Sequence, residues 1–422
     1  MTRERTASPR TAGAINDRIA LEILAERGPL TAAQLKESIG LSRPSVSDLV
    51  GRLRERGLVT VVGEGGAGRR GPNARLYGLI GERAHVAALD VRTDHVSVAL
   101  ADLAGRTVHR ADHPVPVGDT PEGEPGSVAL AVVDGALRTA GVTTPHTLVM
   151  GAPGLIDPAT GALDGFLALP AWHRELARLL RERGERRAVA AGSGEPVGPG
   201  PEGNVVVGNV VVENEVNLAA VAEHRLGAVR DRDTFVLLWL GEGIGASLFL
   251  DGALRRGASG GAGEIGFLPV PGTAGLPTAT DCGGGFHALV GGAAVREAAS
   301  RHGLVPGVPG DEAPGAAEEV VARAVATPDE PAHRVFLAEL AERVAVGAAA
   351  VVAVLDPGCV VLGGEVGRAG GTVLAKAVAA RLGTLTPLRT EVRAGTVSGS
   401  PVLGGGLVTA LDAARRELFT RR

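Results

Sequence analysis

Residues 31–56 read TAAQLKESIGLSRPSVSDLVGRLRER, and the order of caps, turns and apolar positions in them decides the front of the molecule. Thr31 is a candidate N-cap, and Gln34 stands at the capping-box position three residues on, which predicts a short helix over 32–39. Gly40-Leu41 makes a tight turn. Ser42 then caps a further helix over 43–56, with Pro44 in its first turn, where a missing N–H costs nothing, and Gly57 at its end. Val46, Leu49, Val50 and Leu53 form the inner stripe of that helix. Upstream, Ile15, Ile19, Ile23 and Leu24 repeat at helical spacing and predict a first helix over 14–27, stopped by Gly28-Pro29.

Downstream come a strand over 58–62, a Gly-rich segment over 63–73 and a second strand over 74–79. Three helices and a two-stranded ribbon with a basic tip make a winged helix-turn-helix. Its third helix would enter the major groove and present its N-terminal residues to base edges. The candidates there are Ser42, Arg43, Ser45, Ser47, Asp48 and Arg52, which lie off the inner stripe. Arg69, Arg70 and Arg75 would set the wing against phosphates or in the minor groove. The plainer alternative is a small helical module that binds protein. Charge favours DNA: residues 1–81 carry 13 Lys+Arg against 8 Asp+Glu, while the remainder carries 30 against 39.

A chain of 422 residues is too long for one ordinary core, so two or three domains are expected, divided as 1–81 and 82–422. Aromatic residues are only 2%, so the cores must be built from Ala, Val and Leu. Cys282 and Cys359 cannot form a disulfide framework, which fits a reducing cytoplasm. Neither a secretory signal nor a membrane span is expected.

From His85 the pattern changes to strands. Segments 85–90, 96–101 and 107–115 read as strands, 127–140 as a helix, and 147–150 as a buried strand leading into Gly151-Ala152-Pro153-Gly154-Leu155-Ile156-Asp157. Residues 191–204 read as a surface insert. A strand over 205–212 ends at Glu213-Asn214-Glu215-Val216-Asn217, and a helix runs on to Arg225. The layout then recurs, with strands over 235–240 and 246–250 around the Gly241–Gly245 turn. A Gly-rich loop from Gly257 to Gly266 carries Glu264. Helices are expected over 286–300, 315–326 and 331–354, and a strand over 359–362 ends in Gly363-Gly364-Glu365. Gly404-Gly405-Gly406 opens a last helix over 407–418.

In order and spacing, these glycine turns and the Glu-Asn-Glu-Val-Asn segment resemble the ROK family, a group named for repressors, open reading frames and kinases. The resemblance runs over about residues 84–418. It implies an α/β chain in which the winged helix-turn-helix is followed by a two-lobed actin-like, hexokinase-like ATPase fold. A winged helix in front of such a body is the layout of the family's regulators.

Kinases of the family carry an Asp-x-Gly-Gly-Thr phosphate loop. Here the matching stretch is Asp90-Val91-Arg92-Thr93-Asp94, with both glycines gone and Arg92 and Asp94 where phosphate would lie. The kinases' Asn-Asp pair, whose Asp is the general base, is Asn214-Glu215 here, one methylene longer. No catalytic residue and no cofactor are therefore expected. Glu264 matches a sugar-binding Glu. Three residues on, Phe267 replaces a zinc-ligating His; at the family's cysteine cluster stand Thr280, Cys282, Gly283, Phe286, His287 and Leu289. One cysteine cannot close a structural zinc site, so no metal is expected. The effector candidates are Asn214, Glu215, Glu264 and His287, although Asn214 and Glu215 would equally serve as caps of the next helix. Two readings of the body stay open: a pocket for an effector other than a typical hexose, or a dimerisation body with no small ligand. The expected partners are a double-stranded DNA operator, a sugar-type effector and further copies of the chain in a dimer or tetramer, with no membrane. A sugar kinase with an accessory head is the competing reading.

Overall fold

Helix α1 (Pro9–Arg27) begins the described part of the chain, which comprises residues 9–65, 74–115, 125–163, 170–193, 209–304 and 316–420 of a computed structural model. A two-residue strand β1 (Leu30–Thr31) follows, then α2 (Ala32–Ile39) and α3 (Arg43–Glu55). The capping box is formed: the Thr31 hydroxyl accepts from the Gln34 amide, and the Gln34 side chain accepts from the Thr31 amide at 2.9 Å. Ser42 caps α3 by accepting from the Ser45 amide at 3.3 Å. Val46, Leu49, Val50 and Leu53 are buried, as the stripe requires. Strands β2 (Val59–Gly65) and β3 (Ala74–Leu79) pair antiparallel, and β1 adds to the free edge of β3. That third strand was not expected, because two residues carry no periodicity. Arg69 and Arg70, at the expected wing tip, lie outside the described residues.

A short turn over 81–83 joins this head to the body. The first lobe is a five-stranded sheet in the order β6-β5-β4-β7-β8, with β4 (His85–Val91), β5 (His95–Asp102), β6 (Thr107–Pro114), β7 (Thr147–Ala152) and β8 (Asn209–Asn214). Strands β4, β7 and β8 run parallel, β5 pairs antiparallel with β4, and β6 pairs antiparallel with β5. One face, through Leu89, Val98 and Met150, is covered by α4 (Pro125–Thr139) and α5 (Ala171–Ser193). Helix α5 was missed, because its run of Arg and Glu hides the apolar positions Trp172, Leu176 and Leu180 that it buries. It occupies the first three positions of the expected 191–204 insert, and the rest of that insert lies outside the described residues.

Helix α6 (Glu215–Leu226) leads into the second lobe. Its sheet has the order β11-β10-β9-β12-β13, from β9 (Phe235–Leu240), β10 (Ile244–Leu250), β11 (Ala253–Arg255), β12 (Cys359–Gly363) and β13 (Glu391–Ala394). Helices α7 (His287–Val290), α8 (Gly292–Arg301), α9 (Ala316–Ala326), α10 (Pro331–Leu355) and α11 (Gly364–Leu385) build the core on one of its faces.

The last helix, α12 (Pro401–Thr420), packs on α6 and against β4 of the first lobe. The glycine triplet lies inside this helix and does not open it. A Cβ on Gly405 would run into the Leu218 carbonyl oxygen of α6, and one on Gly406 into Ala88 of β4. Glycine is needed there for close crossing, which outweighs its helix penalty of about 1 kcal/mol. The far end of α12 reaches the head: Leu411, Leu418 and Phe419 join Leu21, Leu24 and Leu58 in one buried cluster, and Arg56 donates to the Leu418 carbonyl at 3.3 Å. Among the described residues no helix is long and apolar enough to cross a membrane.

Candidate nucleic-acid interface and effector cleft

On the head, the start of α3 is open. Arg43, Ser45, Ser47 and Asp48 are exposed, as is Arg75 on β3 of the ribbon. Ser42 is also exposed, but its hydroxyl is engaged as the cap and lies 2.8 Å from the Ser45 hydroxyl. Arg52 differs from the expectation of a free side chain. Its guanidinium reaches back to Asp17 of α1 at 2.6 Å, and that hydrogen bond raises its pKa above the ordinary value. Asp17 is 6% exposed and also meets Arg56 at 3.8 Å. Arg52 therefore ties α1 to α3, and without it the buried Asp17 carboxylate would keep only the longer contact with Arg56.

In the body, Asp90, Arg92, Glu215, Glu264 and Glu365 gather where the two lobes face each other. Asn214 caps α6: its Oδ1 accepts from the Val216 and Asn217 amides at 2.9 and 3.2 Å, and its Nδ2 donates to the Gly154 carbonyl. Its polar atoms are thus engaged in the local fold. Glu215, one residue on, does not cap. Its Oε2 is buried and lacks a hydrogen-bond partner among the described residues. Burial pushes its pKa up to about 7, against the opposing pull of Arg92 and with a further push from Asp90 and Glu264. Glu264 is also raised by burial. The Gly-rich loop positions it: Gly263 has φ 101°, and a Cβ there would strike the Ala246 carbonyl oxygen. His287 opens α7 beside Gly266, and burial lowers its pKa.

Arg92 has a role the sequence did not reveal. Its Nε donates to Asp90 at 2.9 Å and its Nη1 to Glu365 at the start of α11, at 3.3 Å. The guanidinium lies 5.4 Å from the Trp239 ring centroid. Burial opposes its charge, but Asp90 and Glu365 outweigh burial and hold it above its ordinary pKa. Arg92 thus extends from the first lobe to β9 and α11 of the second. Asp94 is exposed, with its carboxylate 2.8 Å from the His95 ring. Glu242, in the second glycine turn, is ion-paired with Arg296 of α8 at 2.6 Å. Sequence reading also passed over Glu213, which is buried, pairs with Arg256 at 2.6 Å and accepts from Asn217.

Comparison with known proteins agrees with both halves. Residues 205–404 match the ROK family, and residues 16–70 match the MarR family. The bifunctional enzyme NanE/NanK of Brucella melitensis is 35% identical over 162 residues, 38% of this chain and 28% of that protein. The xylose repressor of Bacillus spizizenii is 24% identical over 261 residues, 61% of this chain and 60% of the repressor. The chain thus spans less than two thirds of either curated relative. A solved ROK family transcriptional regulator, a homolog of the Escherichia coli MLC protein, superposes with a TM-score of 0.68 at 18% identity, covering 97% of this chain and 99% of its own. Residues 205–404 thus resemble the ROK family and residues 16–70 the MarR family, and the fold over nearly the whole chain is that of a solved ROK family regulator.

Proposed function

We propose that this protein is a sequence-specific DNA-binding regulator of transcription, a cytoplasmic repressor whose body senses a carbohydrate-type effector. The observation that carries the reading is the start of α3, where Arg43, Ser45, Ser47 and Asp48 stand exposed above a fully buried stripe. Side chains at that position are the ones a major groove meets. The ribbon beside it carries Arg75, with Arg69 and Arg70 in its connecting segment. The repressors among its relatives support the same assignment.

The body acts as a sensor and not as a kinase. Arg92 lies in the space that a phosphate loop would keep open, and its two carboxylates are already compensated. The effector is held by Glu215 and Glu264, with His287 at the margin; the unpartnered Glu215 oxygen is a ready acceptor for a sugar hydroxyl. Two copies of the chain place two heads on an inverted repeat, as a dimer or a pair of dimers. The effector shifts operator affinity only as far as it binds the two head arrangements unequally.

The test is selection of bound duplexes from a random library by the full-length protein, followed by anisotropy titrations with sugars and with ATP. The expected outcome is one inverted-repeat motif whose affinity changes with a sugar and not with ATP. Failure to enrich any motif would sink the DNA reading, and ATP-dependent phosphorylation of a sugar would sink the sensor reading.

A further inference from the structure

A cavity of roughly 1270 Å3 runs along α12 between the head and the body, and Glu215, Glu264 and His287 are not among its lining. One wall is α1; the others come from β5, residues 396–400 and α12. Six arginines line it against three carboxylates. Two of those carboxylates are paired, Glu22 with Arg18 at 3.5 Å and Asp412 with Arg225 at 2.8 Å. That leaves Arg110, Arg230, Arg415 and Arg416 with Glu26 as the only other lining carboxylate among the described residues.

Arg415 is the anomaly. It is partly buried, and its Nε and Nη2 both donate to the Leu103 carbonyl, at 3.2 and 2.9 Å. Among the described residues no carboxylate is in ion-pair contact with it. Burial pushes its guanidinium below the ordinary pKa, with Arg225 adding to that push and Asp412 and Asp102 opposing it. A cation partly withdrawn from water whose hydrogen bonds go to a carbonyl, with its nearest carboxylates out of contact, has room for an anion. The other three arginines are exposed around it.

We infer that this cavity is an anion site at the head–body junction, and that its ligand is a small phosphate ester. Several guanidinium groups lining one space suit a phosphate's oxygens better than a single carboxylate. The volume leaves room for the ester's body against Leu407, Val408 and the exposed side chain of Leu226. A ligand there bridges α1 to α12 and stiffens the head on its support. That effect on operator binding rests on the DNA-binding reading; the site itself does not.

Calorimetric titration of the full-length protein with inorganic pyrophosphate and with glucose 6-phosphate tests it without DNA. Saturable binding of at least one probe is expected, retained in Glu264→Gln, which separates this site from the effector cleft. It weakens by about tenfold or more in Arg415→Met and in Arg416→Glu, the range of a lost charge-assisted hydrogen bond. Arg416 is exposed, so its variant stays informative if Arg415→Met fails to fold. Binding of neither probe, or unchanged binding in Arg416→Glu, overturns the site. Variants weakened only toward duplex DNA would reassign these arginines to the DNA backbone and overturn it as well. A protein that binds a probe but no operator leaves the site standing and removes only its link to DNA.

Discussion

The start of α3 and the cleft between the lobes, the two recognition surfaces proposed above, stand in opposite states. On α3 the apolar stripe is complete and the cap is satisfied, so Arg43, Ser47 and Asp48 are left exposed, while Ser45 meets only the cap. In the cleft, Arg92 has taken the space between Asp90 and Glu365, and the remaining carboxyls, Glu215 and Glu264, are held partly desolvated. A surface that stays free for a partner is one that the fold does not need. In the cleft one long side chain satisfies two carboxylates at once.

The strongest way to break this comparison is to remove the plug. Arg92→Ala leaves Asp90, 4% exposed, and Glu365 without their cation, and should cost about 3 kcal/mol, as for a broken buried ion pair. Urea denaturation checks it; a loss under about 1 kcal/mol would show that the bridge contributes no more than a surface pair.

Glu215 gives the next effect. Its folded pKa of about 7 lies above the unfolded value, so the folded state holds the proton more tightly. Stability therefore falls as pH rises from about 4.5 to about 7 and is flat above, a penalty on the order of 3 kcal/mol. Glu215→Gln should abolish that slope and be the more stable variant at pH 8. A wild-type profile flat across this window would show that the carboxyl is solvated.

The effects on the head are smaller and of another kind. Arg43→Ala should weaken specific operator binding by about 1–3 kcal/mol and leave the melting temperature unchanged; full affinity would displace α3 from the groove. Ser42→Ala should cost about 1 kcal/mol of stability by removing the cap, visible as a lower melting temperature of the head. Arg69→Ala with Arg70→Ala should lower the salt slope of DNA binding by about 1 for each phosphate no longer neutralised. An unaltered slope would take the wing off the phosphates.

Local signals made the head legible. Thr31, Gln34, Ser42 and the stripe from Val46 to Leu53 act within one or two turns of themselves, and the structure realises each. The cleft was legible only as departures from a pattern. Arg92 could be read as bulk, but its partner Glu365 lies 273 residues away, and no local spacing announces that pair. For the same reason Arg52 looked free until α1 brought Asp17 beneath it. The Asn214 and Glu215 pair allowed two readings, and geometry divides them: one residue caps, while the other keeps an unmatched oxygen in the cleft. Helices α5 and α11 and the strand β13 went unread, their apolar positions being spread among charges and glycines.

The placement of α12 bears on how such a chain can be cut and recombined. Ser400, just before its first turn, holds Asp90 at 2.9 Å, and Leu418, near its end, holds Arg56. At about 1.5 Å per residue its 20 residues span roughly 30 Å between the cleft and the head. Leu411, Leu418 and Phe419 are buried in company with head residues. A body expressed without residues 1–81 would expose an oily patch and invite aggregation. A head transplanted from another protein would need a matching terminal helix to sit on. The winged helix and helix α12, far apart in sequence, form one structural unit.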